Sequence, residues 1–393
     1  MPTILLITKG TYGDLVPFLA LGSALRDRGN SVILISHSHY REVALKVGLQ
    51  FDSWDTEEKY RLFVGDGPLL DNPRGVHEFA EKHILPEFEM ECAVIRKHCG
   101  QKNTVILARH MADLAARIVA EQVGMPYFTV FTAVAQIECL SILATLYRST
   151  LGDKINACRE MAGLSAIHDW QIFMNTGLFL ACWPSWFASR SKAWPDKVHY
   201  LGFLRSDDAE TGNLPEQVLS LLSEPEGIIL ISGGTAIATE SRRFYQTCME
   251  GCHLVGRKAL LVCRYRELVP EVLLPGTAYF ERLPFASLIP HVSCVVHHGG
   301  TSLLVRALLE GKPQIALPFG GDRPDTALRL QKLGVCLRLP RNEWSPEAVA
   351  KSIQTVHLSP AIAEACAEAR LKMDSSEDLR NSCEVIEDSA MTL

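Results

Sequence analysis

The chain has 393 residues, 47% of them hydrophobic and 21% charged, enough for two globular domains of ordinary size and composition. Its net charge of −6 is mild and argues against nucleic acid or an anionic membrane as the main partner. No apolar run reaches the ~18–20 residues of a membrane span; the most apolar stretch, Thr176 to Trp186, is cut by Pro184.

Ile4–Thr8 is a continuous apolar run suited to a buried parallel strand. No basic region precedes it, and it is too short for the core of a secretion signal. Leu15, Leu19, Ala20, Leu21, Ala24 and Leu25 recur at helical spacing and predict a helix over Val16–Arg28, closed by Gly29-Asn30. Strand Val32–Ser36 follows. Further along come strand Val105–Ala108, helix Met111–Val123, the turn Gly124-Met125-Pro126 and strand Tyr127–Val130. This alternation means βαβ units and a doubly wound parallel sheet. The stretch from Ala133 to Pro184 reads as helical and aromatic-rich, with Leu140, Ile142, Leu143, Leu146, Tyr147, Trp170, Phe173 and Phe179. Two readings stand for it: ordinary core helices, or the wall of an apolar ligand pocket.

From Arg205 to Pro225 the composition turns polar, as in an interdomain linker. A second alternating series then begins. Its strands are Ile228–Ser232, Ala259–Val262, Ala278–Phe280, Ser293–Val296 and Gln314–Leu317, with helices near Glu240–Leu254, Thr301–Gly311 and Asp322–Leu333. The expected α/β architecture is therefore two Rossmann-like doubly wound domains, residues 1–205 and 227–374, joined by a linker over 206–226 and facing each other across a cleft. A C-terminal helix over 375–393 is expected to pack back toward the first domain. The 12 cysteines contain no C-x-x-C pair, and Cys248 and Cys252 share a helix face as packing residues do. Without a secretion signal they read as reduced thiols of a cytoplasmic protein.

Three segments carry chemistry. Val295-Val296-His297-His298-Gly299-Gly300-Thr301-Ser302 runs from a buried strand into a helix that closes at Gly311-Lys312-Pro313. The glycines let backbone N–H groups approach a ligand, and the start of the helix favours an anion. Thr301 and Ser302 add hydroxyl donors, so the pattern predicts a phosphate or diphosphate site. It is neither the P-loop nor G-x-G-x-x-G. Pro318-Phe319-Gly320-Gly321-Asp322-Arg323-Pro324-Asp325 opens the next helix, where Asp322 can accept hydrogen bonds from sugar hydroxyls or cap the helix. Thr8-Lys9-Gly10-Thr11-Tyr12-Gly13-Asp14-Leu15-Val16-Pro17 follows the first strand, with Asp14 at a helix entry as a reactive carboxylate or, again, a cap.

Taken in order, these segments resemble family 1 glycosyltransferases of the GT-B fold, especially bacterial enzymes that decorate natural products, glycolipids or sterols. The resemblance rests on Gly13-Asp14-Leu15-Val16-Pro17, on Gly234-Thr235 after the first strand of the second domain, on His297, Gly299 and Ser302 followed by Gly311 and Pro313, and on Pro318 through Asp322-Arg323. It spans essentially the whole chain.

The resemblance implies that the second domain binds a UDP- or dTDP-sugar and the first binds the acceptor, a small apolar molecule bearing a hydroxyl. His297, Gly299, Gly300, Thr301, Ser302 and Thr235 would hold the diphosphate, and Asp322 and Arg323 the sugar. Arg282, Leu283 and Val305 would border the base and ribose, and Tyr12, Leu140, Leu143, Trp170 and Phe173 the acceptor. Relatives with ribonucleotide donors often carry Glu where Val305 stands, so a dTDP-sugar gains ground. Arg323 replaces the usual Gln, which opens the sugar's identity. The His–Asp dyad of many relatives is not visible: Asp14 stands in the first turn and Arg109 after the later strand.

The implied reaction is a single inverting displacement with Asp14 as base, and His37, His39 and His110 as alternatives. No D-x-D motif occurs, so no metal or other cofactor is expected and protein groups would stabilise the departing diphosphate. Two other readings compete, a nucleotide-sugar epimerase and a non-catalytic partner of another transferase. A nicotinamide dehydrogenase is weaker, because its fingerprint is absent.

Overall fold

The computed structural model describes residues 1–100, 103–206, 211–223, 227–373 and 376–391. It divides into two compact units, residues 1–206 with 375–393, and residues 207–374.

The first unit is built on a seven-stranded sheet in the order β3-β2-β1-β4-β5-β6-β7. Its strands are β1 (Thr3–Ile7), β2 (Ser31–Ile35), β3 (Gln50–Asp52), β4 (Thr104–Arg109), β5 (Tyr127–Phe131), β6 (Leu178–Ala181) and β7 (Val198–Tyr200). Every pairing is parallel. Parallel strands are covered on both faces, so the central ones read as unbroken apolar runs. Ile4, Leu5, Leu6 and Ile7 are each 0% exposed.

The second unit has a six-stranded sheet in the order β10-β9-β8-β11-β12-β13. Its strands are β8 (Ile229–Ser232), β9 (Ala259–Val262), β10 (Thr277–Phe280), β11 (Cys294–His297), β12 (Gln314–Ala316) and β13 (Cys336–Arg338). All its pairings are parallel too.

In each sheet the strand order reverses once beside the first strand of the unit. The reversal lies between β1 and β4 in one sheet and between β8 and β11 in the other. Loops leaving adjacent strands in opposite directions open a crevice there, where ligands bind in such sheets.

The expected linker needs correction. Of its residues, 207–210 and 224–226 lie outside the described ones. The rest holds a helix, Glu216–Leu222, whose Val218 is buried in the core of the second unit with Leu214, Leu221 and Leu222 against it. Apolar anchoring makes this segment part of that unit. The helix Ser376–Met391 packs on β4, β7 and the helix Tyr12–Asp27 of the first unit. There the Ser382 hydroxyl donates to the Tyr200 carbonyl (2.9 Å), and Glu387 accepts from Arg28 and Asn30 (2.7 Å each).

Between β5 and β6 stand the helices Val134–Glu138, Leu140–Met161 and Trp170–Asn175. Leu140 and Trp170 are 3% and 4% exposed. Phe173 packs edge-on to Trp170 and lies within 5.1 Å and 5.6 Å of the Arg117 and Arg159 guanidiniums. The core reading of this segment therefore holds for Leu140 and Trp170. As an acceptor wall, Leu140 and Trp170 are corrected, because their surfaces are taken up in packing, while Phe173 is half-buried. Leu143 and Tyr12 are half-buried.

Candidate functional site

At the β8/β11 reversal, strand β11 ends on His297 and the chain turns through His298, Gly299 and Gly300 into the helix Thr301–Leu309. The helix has Gly300 as its N-cap, a residue with no side chain of its own to cap it. Its first N–H groups and dipole thus form the positive end of the turn. Thr301 and Ser302 are half-buried there. Gly299 has φ +93°, and a Cβ on it would stand 2.8 Å from the Arg323 carbonyl oxygen, so only glycine lets these two loops pack.

His297 is not exposed at the turn. It is 0% exposed; one ring nitrogen, Nδ1, accepts from the Gly299 N–H (3.0 Å), and Nε2 shares a hydrogen with Gln314 Oε1 (2.9 Å). Burial pushes its pKa down to about 4. With both nitrogens engaged, His297 ties strand to turn, and its expected contact with a diphosphate is corrected to this internal role. The sequence could not show which face of β11 the ring occupies.

His298 is the residue that the reading by motif passed over. Its ring is 7% exposed and lies between Gly234 and Gly300, where added Cβ atoms would meet it at 2.4 Å and 2.6 Å. Burial and the nearby Arg323 cation hold it well below the usual histidine pKa. It is thus a neutral ring joining the loop after β8 to the loop after β11. In the former, the Gly233 N–H donates to Tyr245 Oη (2.7 Å) and Thr235 is half-buried.

The third loop, after β12, brings Asp322 to the N-cap position of the helix Arg323–Lys332, but its side chain makes no capping bond. Arg323 folds back over the Phe319 ring (5.2 Å) and donates to the Phe319 carbonyl (2.8 Å). Elsewhere in this unit Arg282 is exposed and Leu283 packs against the core. Val305 is 2% exposed on the inner side of its helix, so it is corrected from a ribose-facing position to a core one.

At the β1/β4 reversal the loop after β1 enters the helix Tyr12–Asp27. Asp14 reaches back: its Oδ2 accepts from the Thr11 N–H (2.8 Å) and the Thr11 hydroxyl (3.2 Å). Its other oxygen, Oδ1, lies 2.5 Å from Arg109 Nη2. Gly10, at φ +138°, leaves room for this fold, since a Cβ there would sit 2.4 Å from Asp14 Oδ2. The Asp14 side chain is 24% exposed.

The three histidines weighed against Asp14 are engaged or inaccessible. His37 pairs with Asp55 at 2.6 Å with both side chains 1% exposed, walled by Tyr40, Trp54, Tyr60 and Phe63. His39 bonds Glu57 (2.8 Å) and stacks on Tyr60. His110 is 0% exposed, and burial, with Arg109 and Arg117 nearby, pushes it down to about 3. Lys9 and Glu91 form a further buried pair at 2.8 Å.

Among the described residues no group of three or more His, Cys, Asp or Glu gathers as metal ligands do, and no helix is long and apolar enough to cross a membrane.

Residues 4–140 match the glycosyltransferase family 28 N-terminal domain, and residues 264–388 match the C-terminal domain of erythromycin biosynthesis protein CIII-like proteins. The chain is 25% identical to O-mycaminosyltylonolide 6-deoxyallosyltransferase of Streptomyces fradiae, over 99% of this chain and 98% of that one. It is 22% identical to a sterol 3-beta-glucosyltransferase of Saccharomyces cerevisiae, over 90% of this chain but 32% of that protein, so it spans about a third of that relative. The structure of the glycosyltransferase VinC in complex with dTDP superposes with a TM-score of 0.72 at 16% identity, covering 98% of this chain and 99% of that one.

Proposed function

Because the chain is a family 1 glycosyltransferase of the GT-B fold that uses a nucleotide-sugar donor, we propose that it transfers the sugar of a dTDP- or UDP-sugar, with inversion and without a metal, to a hydroxyl of a small apolar acceptor. The observation that carries this reading is the helix Thr301–Leu309 starting behind a glycine N-cap at the strand reversal of the second unit, with glycine-rich loops on either side.

In this proposal the diphosphate lies against the start of the helix at Gly300 and Thr301, beyond the turn that His297 holds through the Gly299 N–H, with the Thr301, Ser302 and Thr235 hydroxyls as further donors. His297 and His298 shape the loops and stay neutral. Charge develops on the departing diphosphate as the bond from the anomeric carbon breaks, and oriented N–H donors stabilise it there without rearranging. Asp322 holds the sugar by accepting from its hydroxyls. Asp14 is the base: the acceptor oxygen bonds to the anomeric carbon, its proton passes to the carboxylate, and the bond electrons leave with the nucleoside diphosphate. Its exposure supports this over the three histidines. The acceptor class, a natural product, lipid or sterol, follows the resemblance and the activities of those relatives. A cytoplasmic setting is supported by the free state of all 12 cysteines.

The test is thermal stabilisation by dTDP, UDP, GDP, ADP and NAD at one concentration, followed by transfer assays with dTDP-glucose and UDP-glucose against a sterol, a macrolide aglycone and a hydroxy-fatty acid. Selective stabilisation by dTDP or UDP is expected. Stabilisation by none would favour a non-catalytic partner, and an isomerised sugar formed without acceptor would favour an epimerase.

A further inference from the structure

Arg109 is the last residue of β4, in the strand that flanks β1 at the reversal of the first sheet. An apolar strand that ends in a buried guanidinium needs a reason, because burying a cation costs free energy unless it is paired. Here the guanidinium makes two contacts with the turn after β1. Its Nη1 donates to the Lys9 carbonyl (2.8 Å), and its Nη2 pairs with Asp14 Oδ1 (2.5 Å). The Arg109 side chain is 10% exposed. Its Nε is buried with no protein partner.

The carboxylate is thus gripped on both sides. Thr11 holds Oδ2 from within the turn, and Arg109 holds Oδ1 from the neighbouring strand. Thr11 is local and would move with the turn, whereas Arg109 is anchored in the sheet and fixes the turn's backbone through Lys9 as well. Lys9, in the same turn as Asp14, pairs with Glu91 instead. Arg109 is therefore the strand-borne cation assigned to Asp14.

We propose that Arg109 is a positioning residue of the transfer reaction. It sets the direction of the Asp14 carboxylate and fixes the turn that carries it. This rests on the reading of Asp14 as base. A guanidinium keeps its proton at any working pH, so the pair cannot relay a proton as a carboxylate–imidazole pair can. The proton leaving the acceptor stops on Asp14 and leaves from there to solvent. Misplacing a reacting group by about 1 Å costs on the order of 100-fold in rate, and loss of this anchor is expected to act at that scale.

The experiment uses the full chain with dTDP-glucose and UDP-glucose and water as the acceptor, read as nucleotide release with whichever donor the wild-type protein turns over. The variants are R109M, R109K, R109A, D14N and the R109M/D14N double variant. R109M is expected to lose about 100-fold in kcat, with donor KM and the stabilisation by dTDP or UDP unchanged. R109K should recover part of the rate, and millimolar guanidinium should restore part of it to R109A but none to D14N. The double variant should be no slower than D14N alone, since both act through one group. Full kcat in R109M beside a slow D14N would overturn the proposal and leave the base reading standing. Near-wild-type release by D14N would overturn both. A changed donor KM or lost nucleotide stabilisation in R109M, with no rescue by guanidinium or by lysine, would assign Arg109 to structure and also overturn it. No release by the wild-type protein from either donor would overturn the transfer reading on which the proposal stands.

Discussion

At the β1/β4 reversal the chain sets a carboxylate and a guanidinium 2.5 Å apart, whereas at the β8/β11 reversal it sets two histidines that burial keeps uncharged. The same crevice of a doubly wound sheet is therefore furnished in opposite ways. On the proposed function, a carboxylate that is to take a proton from the acceptor needs a fixed direction. A seat for a diphosphate needs many weak donors, and backbone N–H groups supply them without a side-chain cation whose desolvation would have to be offset. Neutral rings suit the second place because they can fill space beside glycines and still make hydrogen bonds.

The largest expected effect separates the two places outright. Asp14→Asn should slow transfer by about 100- to 10,000-fold, while thermal stabilisation by dTDP or UDP stays at the wild-type value. If nucleotide binding fell with the rate, the division of labour between the two reversals would fail. Next comes His297→Ala, which removes a fully buried ring and leaves Gln314 without its partner. A loss of about 2–4 kcal/mol in unfolding free energy is expected, measured by denaturant titration. A wild-type midpoint together with lost nucleotide binding would return His297 to direct ligand contact.

Gly299→Ala is expected to cost about 1–3 kcal/mol, because its φ is +93° and the new Cβ would press on the Arg323 carbonyl. Its nucleotide stabilisation should shrink as well, read in the same thermal assay. Unchanged stabilisation would mean that the turn is not the diphosphate seat.

The smallest effect is a pH slope. The unfolded chain protonates His297 near the ordinary value of 6.5, and the folded protein only near about 4. The unfolded state therefore binds more protons between these values. The contribution of His297 is complete above pH 6.5, drains as the pH falls, and levels off below about 4. His110, pushed down to about 3, extends the same loss to lower pH. Melting temperatures of the wild type and His297→Asn across this range should diverge in slope, with the variant the flatter. Parallel curves would show that His297 is not held neutral by the fold.

Much of this fold is legible in the sequence where burial leaves a continuous apolar signature. Ile4–Ile7 announces a central strand because both its faces are covered. Gln50-Phe51-Asp52 and Val198-His199-Tyr200 do not, since they are three-residue strands at sheet edges with polar residues among them. Leu178–Ala181 was submerged in a longer apolar stretch, where a short strand and a helix look alike. The glycine-rich loops are legible because few other demands place so many glycines after strands. The inward turn of His297 and the pairing of Asp14 with Arg109 are not. The first depends on which face of a strand a ring takes, and the second on a contact between residues on different strands.

The helix Ser376–Met391 follows the second unit in the chain yet completes the first, with Ile386 and Ala390 fully buried there. During synthesis the second unit therefore leaves the ribosome before the first can close. Until then the apolar seat beside β4 and β7 stays open to water and to other chains. A chain released before Ile386 would carry a finished second unit beside an unfinished first one.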